Sequence, residues 1–233
     1  MISKKATIAK TAIIHEGVTI EDNVIIHDYV VIYPGVTIRS GTEVFDHCVL
    51  GKYPTSPGST SRPLKEEYAP VVIDNNCILC PGVVIYIGTK IGSHTLLGDY
   101  CSIREDCIIG EYCIISRNVS VNYETRIGHH TKIMDNTHIT GNMIIGNHVF
   151  ISVLVSTTND NAMGRDGYCS DEIYGGIIED YVTVGASANI LPKVRIGRNS
   201  IIGASALITK DVAPNSVMMG IPARCVRSVA EKS

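Results

Sequence analysis

Aliphatic residues recur in this chain at a strict interval of six. Ile8, Ile14, Ile20, Ile26, Ile32, Ile38, Val44 and Leu50 form one unbroken run. The period resumes with Ile73, Leu79, Ile85, Ile91, Leu97, Ile103, Ile109, Ile115, Val121, Ile127, Ile133, Ile139, Ile145 and Ile151, and again from Ile178 through Val184, Ile190, Ile196 and Ile202 to Ile208. A helix repeats every ~3.6 residues and a simple strand every ~2, so neither accounts for six. A stacked repeat does, because one short unit cannot bury its apolar face without neighbours on either side.

A hexad can place two strand-like residues inward, a large aliphatic and a small residue two positions earlier, before the chain turns a corner. The small position holds Val18, Val24, Val30, Val36, Cys77, Cys101, Cys107, Cys113, Ala188 and Ala206. Glycine often follows the aliphatic (Gly92, Gly98, Gly110, Gly128, Gly146, Gly185, Gly197, Gly203), as a tight corner would favour. Three hexads close one triangular coil, and about nine coils at ~4.8 Å make a prism roughly 40 Å long. The narrow interior explains why a chain that is 45% hydrophobic has no Trp and two Phe. The repeat predicts an all-β parallel β-helix, a single domain over residues 1–233 with two inserted loops.

Charged residues make up 18% of the chain and the net charge is −3, so neither a nucleic-acid surface nor a polybasic membrane tail is expected. The opening MISKKATIAKTAIIHEG holds no apolar run long enough for export or anchoring, and a cytoplasmic location is expected. The eight cysteines are then reduced thiols, several of them small core residues. Cys77 and Cys80 have zinc-like spacing but no second pair to complete a site, and are read as structural.

A regular prism carries little chemistry, so function is sought where regularity breaks. The breaks are 51–72, with four prolines, and 152–177; the C-terminal coils and tail run over about 178–227.

The pattern [LIV]-G-x-x-[STAV]-x, from Ala6 to about Arg227, resembles the hexapeptide-repeat acyltransferases. The resemblance implies left-handed coils, an exception to the usual right-handed crossover, and a homotrimer with sites shared between neighbours. The stretch GASALITKDVAPNSVMMGIPARCVR resembles that family's CoA-binding end (GAGAVVTKDVPPN…GNPAR), departing mainly at Ser205, Ala213 and Ile221. This implies acetyl-CoA or another acyl-CoA as co-substrate, with pantetheine along the backbone at Ala186 and Ala204 and adenine near Gly220 to Arg224. The residues themselves offer Lys210, Arg224 and Arg227 as phosphate partners, and Gly220 and Pro222 as a turn exposing backbone donors.

Two places usually hold this family's general base. A string like HIAHD corresponds here to His138-Ile139-Thr140-Gly141-Asn142, leaving Gly141 at the base position; a string like SVTGHP corresponds to Val155-Ser156-Thr157-Thr158-Asn159-Asp160, placing Asn159 there. The T-N-D string resembles nucleotide-sugar N-acyltransferases. A hydroxyl must lose its proton as it attacks and needs a base, whereas an amine can attack as the free base and needs mainly positioning. Asn159 is therefore expected to orient the amine or stabilise the oxyanion, with Asp135 and His138 as further catalytic candidates, His138 being the best candidate for a true base. Asn136, Asn142 and Asp160 are expected around the acceptor, and Tyr53, Arg62, Lys65 and Tyr68 of the first loop around its nucleotide, Arg for diphosphate and Tyr for the base. His94, His130 and His148 should stack along one edge, as in the γ-class carbonic anhydrases that share this fold, but the five-residue histidine spacing of that class is absent and no metal is expected. The expected activity is short-chain acyl transfer to the amine of a nucleotide sugar. The alternatives are O-acetylation of a sugar or antibiotic hydroxyl and a non-catalytic β-helix scaffold.

Overall fold

The computed structural model describes residues 1–59, 62–165, 167 and 173–229. From Ile20 to Ile208 the aliphatics of the six-residue period are buried, each closing or lying within a short strand. Strands pair in parallel with those one coil away, as Leu96 with Ile114 and Leu97 with Ile115. The chain thus winds a three-sided prism whose first face begins at Thr7–Ile8, the second at Ile13–Ile14 and the third at Thr19–Ile20. Their sheets hold twelve, ten and nine strands. The first face ends in a hairpin, Ser216–Gly220 against antiparallel Ala223–Ser228. The prism has about eleven turns, more than the nine expected. Its end turns are made by Ile2, six residues before Ile8 and bridging Ile20, and by Val212 bridging Ile196 and Val217 pairing with Ile201; the spacing from Ile208 through Val212 to Val217 is not six, so the period misses the last turn.

The small inward position is buried as expected, and it bears hydrogen bonds that the aliphatic count does not reveal. Threonine also occurs there: Thr95 donates to the Gly110 carbonyl at 2.9 Å, Thr131 to Gly146 at 2.8 Å and Thr137 to Ser152 at 2.8 Å. The thiols of Cys77, Cys107 and Cys113 reach the equivalent carbonyls of Gly92, Asn122 and Gly128 at 3.1–3.2 Å. Threonine and cysteine are interchangeable here because both are small donors at one geometric station. Burial pushes the Cys107 thiol up to about 12 and that of Cys77 to about 11, so these thiols are inert.

The corners differ from expectation in one respect. The glycines after the aliphatics do not supply the positive φ; the residue two further on does, as at His94 (58°), Tyr112 (55°), His130 (57°) and Asn136 (59°). Glycine is needed for closeness: a Cβ at Gly110 would lie 2.7 Å from the His129 nitrogen and 2.8 Å from the Gly128 carbonyl carbon. Side chains at the left-handed corners stack coil on coil. Along the edge between third and first faces His94, Tyr112, His130, His148 and Tyr181 form a continuous ladder with centroids 4.7–5.1 Å apart. The three histidines share an edge as the sequence suggests. Their parallel rings, with Tyr112 between His94 and His130, do not converge their nitrogens on one point.

Both interruptions leave at the same edge, between second and third faces. The first departs after Val49–Lys52 and re-enters at Val72–Ile73; the second departs only after Ser156–Thr157 and re-enters at Ile177–Ile178. The expected start at 152 was early because Thr157 takes the inward aliphatic's place. Its buried hydroxyl accepts the Thr140 amide at 2.8 Å and donates to the His138 carbonyl at 3.1 Å.

Candidate functional site

Counted in coils of eighteen, Glu105, Tyr123, Gly141 and Asn159 occupy one position on four successive rungs of the edge from which both loops leave. The two positions where a family histidine is expected are therefore rung neighbours. The Tyr123 ring lies across Gly141, where a Cβ would come within 2.6 Å of it, and the Asn159 side chain donates to the Tyr123 hydroxyl at 3.4 Å. The Arg62 guanidinium covers the ring, 3.8 Å from its centroid.

Arg62 comes from the first loop, which runs up this edge. Its guanidinium also pairs with Glu105, a fully buried carboxylate that Arg104 clamps with two further bonds at 2.8 and 3.1 Å. Lys65 bridges Asp106 and Glu124, each at 2.7 Å. Tyr68 accepts the Lys65 amide at 3.2 Å and meets Tyr53 edge to face at 6.4 Å. Arg62 and Lys65 are thus committed to acids of the prism, contrary to the expectation that Arg62 would await a diphosphate. The adjoining groove of about 490 Å³ is lined by Lys90 and Arg126 as well as by Lys65 and Asn142, and among the described residues neither Lys90 nor Arg126 forms an ion pair.

The other sequence candidates divide among three places. His138 lies mid-face on the second face, its Nδ1 2.7 Å from Ser120 Oγ; burial holds its pKa below the usual imidazole value. Asp135 and Asn136 sit at the far edge of that face, away from Asn159. Asp135 takes the Arg117 amide at 3.1 Å and its guanidinium at 2.7 Å, and the Ser116 and Arg117 bonds keep its carboxyl below the usual range. Asp160 caps its own loop through the Ala162 and Gly164 amides at 2.7 and 2.6 Å, and Asn142 holds the returning loop at the Ile173 carbonyl, 3.4 Å away.

At the C-terminal end, Lys210 and Arg224 line one groove of about 370 Å³ with Thr209 and Met218. Gly220 and Pro222 form the hairpin turn, and Arg227 is exposed on its return strand. Ala186 and Ala204 occupy adjacent rungs of another edge, between first and second faces, where the Ala186 carbonyl accepts the Ser205 amide at 2.8 Å.

Sequence reasoning missed Tyr123, Glu105 and Arg104. Its signal was present: stepping back by eighteen from Asn159 passes through Gly141 to Tyr123 and Glu105.

Residues 88–122 and 175–210 match the sequence profile of the family described as Bacterial transferase hexapeptide (six repeats). Those two stretches carry that family's six-residue repeat. The repeat protein is 48% identical over 52 residues to the galactoside O-acetyltransferase of Lactococcus lactis, covering 22% of this chain and 25% of that one. It is 44% identical over 55 residues to the 2,3,4,5-tetrahydropyridine-2,6-dicarboxylate N-acetyltransferase of Staphylococcus aureus, covering 24% and 23%. The matches span about a quarter of the length of these curated relatives. Among solved structures, the Arabidopsis UDP-N-acetylglucosamine acyltransferase superposes with a TM-score of 0.76 at 17% identity, over 95% of this chain and 74% of that one. At that identity the likeness concerns the fold, the left-handed parallel β-helix.

Proposed function

We propose that the hexapeptide-repeat protein transfers an acetyl or short acyl group from CoA to the amino group of a nucleotide-linked amino sugar in the cytoplasm. The observation that carries this reading is the column Tyr123, Gly141, Asn159: both expected base positions lie side by side, neither is a histidine, and the first is filled by a tyrosine ring. Such a site positions a nucleophile, and the carboxylate of this column, Glu105, is held by Arg62 and Arg104, which suits an amine. Lys90 and Arg126 are the cations open to the nucleotide's diphosphate, and Lys210 with Arg224 serves the phosphates of CoA. Matches to both an O- and an N-acetyltransferase fit acyl transfer generally.

The working unit in this reading is a homotrimer. Outward apolar residues such as Ile78 and Phe150 on the first face and Ile144 on the third are 37–49% exposed, and a neighbouring subunit would cover them. Sedimentation equilibrium at micromolar concentration should give three chains; a stable monomer rejects the assembly.

The test of function is incubation with acetyl-CoA and a panel of nucleotide sugars, with products read by mass spectrometry. An amino-sugar nucleotide should gain an acetyl group while its hydroxyl counterpart stays unmodified. Equal turnover of the hydroxyl sugar would transfer the assignment to O-acetylation.

A further inference from the structure

We infer that the Tyr123 hydroxyl holds the acceptor's nucleophile, from the place that Gly141 leaves open. This rests on the proposed acyl transfer, and on the amine reading only for what the nucleophile is.

The ring is fixed from three directions. Below it Gly141 has no side chain, and any Cβ would collide with it. Over it lies the Arg62 guanidinium, anchored in turn by buried Glu105. At its tip the hydroxyl meets Asn159, two rungs away in the column and about 9.6 Å along the prism. A tyrosine that only filled space would need neither the vacancy beneath it nor a polar partner at its tip.

The hydroxyl has one donor and two acceptor sites. Asn159 donates into one acceptor site, which leaves one lone pair and the O–H. An attacking amine needs its own lone pair for the thioester carbon, so it must be held through an N–H, and the remaining lone pair on Tyr123 accepts that hydrogen. The C–N bond then forms, the C–S bond breaks with its electron pair going to sulfur, and the proton lost by nitrogen ends on the departing thiolate as CoA thiol. Tyr123 orients the nucleophile throughout and gains or loses no proton.

The experiment first identifies, by product mass, the acceptor that the wild-type protein acylates, then measures Tyr123→Phe on it. This variant keeps the ring over Gly141 and beneath Arg62. It should lose roughly tenfold to hundredfold in kcat/KM for the acceptor, the scale of one or two hydrogen bonds, with KM for acetyl-CoA and Tm unchanged. Gly141→Ala, which displaces the ring, should lose a similar factor in the wild-type background and little more in the Tyr123→Phe background. The inference is overturned if Tyr123→Phe retains wild-type kcat/KM, if use of acetyl-CoA falls equally, or if the Gly141→Ala loss is undiminished in the double variant. A hydroxyl product from the wild-type protein would overturn the amine reading alone, since an O–H can be held by the same lone pair.

Discussion

Arg62 and Glu105 are 43 residues apart in sequence, and they meet where the first loop crosses a fully buried carboxylate of the prism. A buried charge that loses a partner costs far more than a surface pair contributes. Arg104 remains as a second partner, so Arg62→Ala should cost about 1–3 kcal/mol in urea unfolding. Cleavage of the loop by a protease should accelerate well before global unfolding; an unchanged cleavage rate would show that this pair does not hold the loop.

The buried hydroxyl of Thr131 donates to the Gly146 carbonyl at 2.8 Å and accepts the Val149 amide at 3.1 Å. Thr131→Val keeps the shape and strands both groups, at a cost of about 1–3 kcal/mol. Thr131→Cys should lose less, since neighbouring coils already use a thiol at this station. Thermal unfolding of the two variants side by side decides the matter, and equal Tm values would count against a hydrogen-bonding role.

His138 gives stability a pH dependence of known sign. Burial lowers its folded-state pKa, so between that value and the unfolded value of about 6.5 the unfolded chain binds more protons. The contribution is complete above about pH 6.5 and is lost as pH falls through the folded value. Wild-type protein should therefore lose more stability between pH 7.5 and 5.5 than His138→Asn, the difference being read from urea midpoints. Parallel losses would place the imidazole in a solvent-like setting.

Lys210 and Arg224 face a common groove and are spent on no acid among the described residues. Replacing both with Ala should raise KM for acetyl-CoA about tenfold or more with Tm nearly unchanged, because charge-assisted phosphate bonds are lost and no packing is. Unaltered affinity for CoA would remove the groove from the CoA site.

The six-residue period was enough to place every strand from Ile8 to Ile151, because each regular coil buries a large side chain at one position in six. It failed at Thr157, where a hydroxyl satisfied by backbone replaces an aliphatic, and after Ile208, where the last turn departs from the period. The site was half legible. Asn159 and Gly141 stood out against the family pattern, whereas Tyr123 and Glu105 are unremarkable until eighteen residues are read as one rung. Arg62 looked free for a ligand because its partner, Glu105, lies 43 residues further along the chain, beyond anything a local motif can register. Asp160 is an acid of the second loop and Asp135 one of the coil before it, yet each is turned to backbone amides that a one-dimensional reading cannot locate.

Both loops leave the prism at one edge, and only whole turns separate them. The chain is therefore a ruler with a fixed graduation: excising or duplicating eighteen residues between the loops would preserve every strand register and move the two exits together or apart by one step of about 4.8 Å. A change of six or twelve residues would instead carry one loop to a different edge. The span between the loops can change only in discrete increments, so the distance between the two exits is set by the number of complete turns and can be altered without reshaping either end.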